Sequence, residues 1–127
     1  MTVWGNAAAV GGGAAVGAWM RWGLGLWLNP MLAAFPLGTL VANLIGGFLM
    51  GIALFLIQAL PELPMPQKLL LTTGFLGGLT TFSSFSGEVF GMLQRQAYGT
   101  AGLTVALHVV GSLLATGAGW WCMHAWR

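Results

Sequence analysis

Charged residues are scarce in this chain and make up only 5% of its 127 amino acids. Soluble globular domains contain about 25% charged residues. Apolar residues account for 57% of the chain, so a soluble domain of this composition would leave much apolar surface in water. The composition therefore excludes an ordinary soluble domain and predicts a protein of the lipid bilayer.

Cysteine and carboxylates are also scarce, and both shortages narrow the possible functions. The single cysteine, Cys122, excludes an intrachain disulfide. Only two carboxylates exist: Glu62 lies in a proline-rich linker, and Glu88 lies near the end of an apolar segment. A proton-coupled transporter would need a deeper carboxylate. No nucleophile–base pair, metal-ligand cluster or phosphate-binding loop is visible, so the sequence does not predict an enzyme.

Four long apolar segments alternate with short connections. A transmembrane helix needs about 20 mainly apolar residues. Four segments meet this requirement, at residues 3–28, 36–60, 68–93 and 100–125. We therefore predict an all-α membrane protein in which residues 1–127 form a single four-helix transmembrane domain. Because four helices enclose little interior volume, we expect an oligomer.

The four basic residues are divided evenly between the two ends of the predicted bundle. Lys68 and Arg127 fall on the side of the N-terminus, and Arg21 and Arg95 fall on the opposite side. An excess of Lys and Arg in cytoplasmic loops normally sets the orientation of a membrane protein. One interpretation is that so few charges misreport a fixed topology. The other, which we favour, is insertion in both orientations, giving an antiparallel dual-topology dimer.

Glycine and tryptophan both indicate how the helices pack. Small residues four apart let helices approach closely in lipid, and such glycine pairs occur at 13 and 17, 47 and 51, 74 and 78, and 87 and 91. All seven tryptophans lie in, or directly after, the first and fourth segments, as expected for anchors at the membrane surface. We therefore predict a tight bundle in which the second and third segments are more central.

The third segment is unusual for a membrane helix. Residues 72–88 hold four glycines, seven hydroxyl side chains and three phenylalanines. Glycine weakens a helix, and Ser or Thr side chains compete for its backbone groups. Non-helical backbone at membrane depth is tolerated only where it is buried in protein or lines a wet cavity. The segment therefore predicts a broken helix, a feature that commonly holds ions.

Polar side chains form stripes on two other segments, because residues four apart share one helix face. On the fourth segment the stripe is Thr104, His108, Ser112 and Thr116. On the second segment it is Thr39, Asn43, Gly47 and Gly51. Ser and Thr hydroxyls often bond only their own helix carbonyls, which is the simpler interpretation. We favour a polar track beside a pathway because the stripes also contain His and Asn.

Phe82 and Phe85 lie three residues apart and share one helix face after the glycine-rich stretch. Ordinary packing against lipid or neighbouring helices would explain such a pair in isolation. Aromatic rings, however, have electropositive edges that can face an anion. The position of this pair beside the predicted break favours a pore-lining role.

Motifs in all four segments resemble those of the Fluc (CrcB) fluoride channel family. Residues 17–22 resemble its G-A-x-x-R-aromatic signature, and residues 38–46 resemble its G-T-L-x-x-N-x-x-G. Residues 74–88 resemble its G-x-x-G-G-x-T-T-F-S-T-F-S-x-E, with Ser84 where a threonine is common. His108 with Gly111 and Ser112 is the fourth match. The resemblance covers nearly the whole chain.

The resemblance implies antiparallel homodimers with two fluoride pores built from both copies. The implied pore residues are Phe82, Phe85, Asn43, Ser83, Ser86, Ser112, Thr116 and His108. Arg21 matches the arginine of an electropositive vestibule. Independently of the resemblance, Glu88 could snorkel, pair with a base or face a vestibule, and we assign it to the vestibule. The backbone carbonyls of Gly77 and Thr80 match those that hold a central Na⁺ at the dimer interface. Fluoride, the lipid bilayer and a second copy are the implied partners, with no nucleic acid.

We therefore predict a passive, selective channel in the cell inner or plasma membrane that exports cytoplasmic fluoride. The alternative is a small multidrug-resistance-type transporter, which shares the size, four helices and dual topology. Such a transporter would carry a buried carboxylate in its first helix, and the first segment here has none. A non-conducting assembly subunit would leave the polar stripes and the broken helix without a purpose.

Overall fold

The computed structural model describes residues 2–126, which are helical almost throughout and contain no β-strand. Six α-helices follow one another: α1 Val3–Leu28, α2 Leu37–Ala59, α3 Met65–Leu69, α4 Gly77–Leu79, α5 Phe82–Gln94 and α6 Tyr98–Ala125. A 3₁₀ turn, Asn29–Met31, follows α1, and a π-helical segment, Leu70–Leu76, joins α3 to α4. The all-α prediction is confirmed. Arg127, which we assigned to the N-terminal side, lies outside the described residues.

The chemistry of individual residues explains where these helices begin and end. The hydroxyl of Thr2 accepts a hydrogen bond from the Gly5 N–H and so caps α1 at 3.1 Å. The side chain of Asn29 accepts one from the Gly38 N–H at 2.7 Å, which ties the end of α1 to the start of α2. At the far end of α5, Gln96 adopts a left-handed φ of 60° and stops the helix.

Two of the predicted glycine pairs lie against each other where α1 crosses the third segment. A Cβ atom added to Gly17 would collide with the Phe75 carbonyl, and one added to Gly78 would collide with the Ala14 carbonyl. These backbones touch because no side chain separates them. Gly87, by contrast, has no neighbouring atom within 4 Å of its Cβ position among the described residues. The last glycine pair is therefore not a packing contact within the chain.

The hydrophobic core lies between the second and third segments, as the tryptophan distribution predicts. Ala42 and Ala53 of α2 pack with Leu76 and Leu79 of the third segment, and each of these side chains is at most 1% exposed. Large apolar side chains elsewhere remain on the outer surface, including Trp19 of α1. Long apolar helices with exposed apolar faces indicate a membrane protein.

Within residues 2–126, two helices are both long and apolar enough to cross a bilayer. They are α2, with a mean hydropathy of 2.4, and α6, with a mean hydropathy of 1.6. Their lengths, 23 and 28 residues, exceed the roughly 20 residues needed to span the hydrocarbon layer. The third predicted segment is divided between α3, the π-helical segment, α4 and α5, so its helix is interrupted as expected.

Candidate functional site: the helix break and its groove

The helix break consists of two extended residues between α4 and α5. Thr80 has φ −90° and ψ 156°, and Thr81 has φ −151° and ψ 121°. Gly77 and Gly78 belong to α4, so the break comes just after the glycines and directly before Phe82. The predicted interruption of the third segment is therefore confirmed and placed at this pair of threonines.

The break releases backbone carbonyls from their helical partners, among them those of Gly77 and Thr80. In a continuous helix the Thr81 N–H would bond the Gly77 carbonyl, but it donates instead to the Asn43 side-chain oxygen at 2.8 Å. The Ser84 N–H would likewise bond the Thr80 carbonyl, but it donates to the Thr81 hydroxyl at 3.1 Å. The Gly77 and Thr80 carbonyls, which we had predicted as sodium ligands, are thus left without their helical hydrogen bonds.

Asn43 of α2 binds the break through both ends of its amide. Its oxygen accepts from the Thr81 N–H at 2.8 Å, and its nitrogen donates to the Thr81 carbonyl at 3.0 Å. The same nitrogen lies 3.0 Å from Nδ1 of His108 on α6. Asn43 therefore holds three helices together at the break. The sequence analysis predicted Asn43 only as a pore amide and did not predict this structural role.

Arg21 of α1 lies beside the C-terminal end of α4. Its Nε donates to the Gly78 carbonyl at 3.1 Å, which the Phe82 N–H would bond in a continuous helix. A cation at a helix C-terminus also stabilises the helix dipole. The structure thus uses one guanidinium nitrogen of Arg21 to stabilise the break, in addition to the vestibule role predicted for this residue.

The two phenylalanines after the break touch each other but occupy different environments. Their rings meet edge to face, with centroids 5.5 Å apart and an interplanar angle of 68°. Phe82 is 77% exposed, whereas Phe85 is 7% exposed. Phe85 also lies against the imidazole of His108, with ring centroids 4.5 Å apart. The pair therefore connects the open surface to the buried histidine.

An open groove of about 510 Å³ runs along the break and brings most of the predicted site residues together. The predicted pore residues that line it are Asn43, Phe82, Phe85, His108, Ser112 and Thr116. The two predicted sodium ligands, Gly77 and Thr80, line the same groove. Ser83 and Ser86 are exposed and do not line the groove. Two of the predicted pore residues therefore lie outside it.

The polar stripe of α6 is divided between groove and core. The Thr104 hydroxyl is fully buried and donates to the Thr100 carbonyl of its own helix at 2.7 Å. The Thr116 hydroxyl also bonds its own helix, donating to the Ser112 carbonyl at 2.9 Å. The simpler interpretation of the stripe therefore holds for these hydroxyls, although Thr116 and Ser112 also line the groove.

A second cavity, of about 600 Å³, lies between the 29–36 connection and the end of α5. Glu88, which we predicted in a vestibule, lines it together with Arg95. One carboxylate oxygen of Glu88 accepts a hydrogen bond from the Thr39 hydroxyl. Its other oxygen, Oε1, is buried without a partner among the described residues. Arg21 does not line this cavity, so the two predicted vestibule residues occupy different places.

Three residues that sequence reasoning left without a role contribute to these features. Thr81 caps α5 and exchanges hydrogen bonds with Asn43. Thr39 bonds Glu88, and Arg95 lines the second cavity. The position of Thr39 on the polar stripe of α2 was the one available signal. The role of Thr81 depends on a partner 38 residues away along the chain.

Comparison with known proteins gives consistent matches over most of the chain. A family profile described as "CrcB-like protein, Camphor Resistance (CrcB)" matches residues 8–120. A relative from Aromatoleum aromaticum, named fluoride-specific ion channel FluC, is 56% identical over 119 residues, which cover 94% of this chain and 91% of the relative. A relative of the same name from Thiobacillus denitrificans is 53% identical over 91% of this chain and 93% of its own length. Another from Albidiferax ferrireducens is 62% identical over 84% of this chain and 82% of its own length.

Proposed function

Because this chain belongs to the CrcB family of fluoride channels, we propose that it conducts fluoride passively along the groove at the helix break. It is an ion channel and not an enzyme. The observation that carries the proposal is the convergence of Phe82, Phe85 and polar groups of α6 on one groove. A negative membrane potential drives an anion outward with about 2.3 kcal/mol per charge per 100 mV, so export needs no further energy source.

The chemistry of the groove suits a small, strongly hydrated anion. Conduction requires donors that replace the water shell yet still release the ion. Hydroxyl and imidazole groups and the electropositive edges of aromatic rings are donors of moderate strength. No lysine or arginine among residues 2–126 lines the groove, so no fixed cation of this part of the chain would trap the anion there. Arg21 and Arg95 lie outside it, at the same predicted end of the bundle, and can attract anions toward that end.

We propose that a second copy in the opposite orientation closes the groove into a pore. The groove is open on one side, and Phe82 is 77% exposed beside it. A large apolar ring in that position calls for a covering surface. The even division of basic residues supports antiparallel insertion. In this arrangement α1, α2, α6 and the interrupted α3–α5 unit are the four membrane spans, and two copies form two pores in the cell inner membrane.

A Na⁺ ion at the centre of this dimer fits the freed carbonyls of Gly77 and Thr80. Both residues line the groove, and their helical hydrogen-bond donors are engaged elsewhere. Carbonyl oxygens are hard ligands that suit hard cations, and two copies would supply four of them. The described residues contain no cluster of three or more His, Cys, Asp or Glu side chains. When bound, the cation would stabilise the exposed carbonyls of two broken helices.

Ion efflux from liposomes tests the proposed function. Purified protein is reconstituted into liposomes loaded with fluoride, and efflux is followed with a fluoride electrode after valinomycin is added. Chloride-loaded liposomes, read with a chloride electrode, are the selectivity control. Fast fluoride efflux with little chloride efflux is expected. No efflux of either ion from verified dimers would contradict the channel assignment.

Phe82→Ile tests the proposed role of the groove. We expect this change to abolish fluoride efflux without dissociating the dimer, because it removes the ring edge from the ion path. Phe90→Ile is the matched control, since Phe90 lies on the same helix, is 61% exposed and does not line the groove. It should conduct like the unaltered protein. Full efflux through Phe82→Ile would refute the assigned role.

A further inference from the structure

The hydrogen-bond pattern at the helix break determines which nitrogen of His108 carries a proton. We propose that Asn43 holds His108 in the tautomer protonated at Nε2, and that this N–H donates to fluoride in the pore. The inference rests on the proposed channel function for the identity of the ion. It assigns Asn43 a positioning role toward His108 and makes His108 a donor to the ion.

The first step is the orientation of the Asn43 amide. Its two ends are normally hard to distinguish, but here both face backbone groups of a single residue. The Thr81 N–H needs an acceptor at 2.8 Å, and the Thr81 carbonyl needs a donor at 3.0 Å. Turning the amide over would place donor against donor and acceptor against acceptor. The nitrogen of Asn43 must therefore be the end that faces the Thr81 carbonyl and His108.

The second step is the histidine itself. An amide nitrogen carries two hydrogens and accepts no hydrogen bond. One hydrogen of Asn43 goes to the Thr81 carbonyl, and the other is directed at Nδ1 of His108, 3.0 Å away. Nδ1 must therefore be the bare, accepting nitrogen. A neutral imidazole has one hydrogen, so it resides on Nε2, while a doubly protonated ring would oppose the Asn43 donor.

The third step is the fate of that Nε2–H group. The imidazole is 4% exposed, and Nε2 is buried with no hydrogen-bond partner among the described residues. Buried donors are almost always paired, so an unpaired one calls for a partner that the chain does not supply. His108 lines the groove beside Phe85, and a small anion travelling along the groove provides such a partner.

The same pattern shows how fully the Asn43 amide is engaged within the chain. Both of its amide hydrogens are engaged within the chain, so binding an ion directly would break a bond to Thr81 or His108. Because Nε2 is closed to solvent, a side chain must also move for the ion to reach it. The ring of Phe85, 4.5 Å from the imidazole between centroids, lies against the histidine and is the group expected to shift.

Two substitutions of His108 by amide residues test the roles of its two ring nitrogens separately. His108→Gln extends an amide far enough to place a donor near the Nε2 position. His108→Asn is shorter and offers an acceptor to Asn43 at the Nδ1 position without the distal donor. We expect the Gln variant to retain most fluoride efflux and the Asn variant to lose about tenfold or more, as for one hydrogen bond to an ion. Equal efflux from both variants would overturn the donor role.

Nitrogen NMR measures the tautomer without relying on transport. In bilayer samples labelled with ¹⁵N-histidine, His124→Gln removes the other histidine, which lies against Trp120 away from the groove. We expect the remaining ring to show a bare Nδ1 and a protonated Nε2, with added fluoride shifting the Nε2 signal and chloride leaving it in place. A protonated Nδ1, or an Nε2 signal unmoved by fluoride, overturns the proposal.

The two measurements also distinguish failure of this inference from failure of the proposed function. If the unaltered protein conducts no fluoride, the channel assignment fails, and the fluoride contact fails with it. If it conducts fluoride and His108→Asn conducts equally well, only the role of Nε2 is refuted. In either case, the tautomer measured without fluoride tests whether Asn43 determines which nitrogen of His108 carries the proton.

Discussion

The tight crossing of α1 over α4 makes Gly78→Ala the most informative test of the packing argument. An added Cβ would lie 2.9 Å from the Ala14 Cα and 3.0 Å from its carbonyl carbon, and closer still to the carbonyl oxygen. Carbon atoms pack best at about 3.5–4.0 Å, so α1 would have to retreat by on the order of 1 Å. The obstacle is backbone, and no side-chain rotation can relieve it.

We expect Gly78→Ala to cost about 1–3 kcal/mol of stability, the usual range for an overpacked contact. The displacement would also pull Arg21 away from the Gly78 carbonyl, to which its Nε now donates at 3.1 Å. Fluoride efflux should fall as well, because this bond supports the helix break. Stability would be measured as the denaturant midpoint in detergent, and efflux would be measured in liposomes.

Gly87→Ala is the matched control for this prediction. Gly87 lies in α5 and has no described atom within 4 Å of its Cβ position. The change should be neutral or should stabilise the helix by up to about 1 kcal/mol. If Gly78→Ala is as stable as Gly87→Ala and conducts equally well, the close crossing does not hold α1 against the break, and the packing argument is wrong.

Three further substitutions test the bonds around the groove. Asn43→Ala leaves both backbone groups of Thr81 without their partner. We therefore expect the free energy of unfolding in denaturant to fall by about 2–4 kcal/mol and fluoride efflux to be low. Unchanged stability would contradict the role of Asn43 in holding the break. Arg21→Lys keeps the charge but loses the planar Nε donor, and it should cost about 1 kcal/mol, whereas equal stability would show that charge alone suffices. Ser112→Ala should reduce efflux severalfold with stability unchanged, and undiminished efflux would remove Ser112 from the path.

Much of the fold was predictable because it depends on local sequence. The first segment, predicted at residues 3–28, matches the bounds of α1 at Val3–Leu28, although α1 is not among the helices that are apolar enough to cross a bilayer by mean hydropathy. The second and fourth segments differ from α2 and α6 by only one or two residues at their starts and ends. The break in the third segment was also predictable from its glycines and hydroxyls.

The details of the site were less predictable because they depend on distant partners. Arg21 bonds a carbonyl 57 residues away, and Asn43 meets a histidine 65 residues away. Helical spacing places a residue on a face but does not say which backbone group that face meets. No pattern in the sequence indicated the π-helical segment before α4 either. Ser83 and Ser86, which the family resemblance implied as pore residues, lie outside the lining of the groove.

The break is stabilised by the same groups that are proposed to serve conduction. An interrupted helix exposes donors and acceptors that lipid cannot satisfy, and here side chains from two other helices supply most of their partners: Asn43 binds Thr81, and Arg21 binds Gly78. Two kinds of group along the groove keep free binding capacity: the carbonyls of Gly77 and Thr80, whose helical donors are engaged elsewhere, and Nε2 of His108, which has no partner among the described residues. The carbonyls suit a cation and the N–H suits an anion. The side chains that stabilise the break thus leave it with specific positions for ions of each sign.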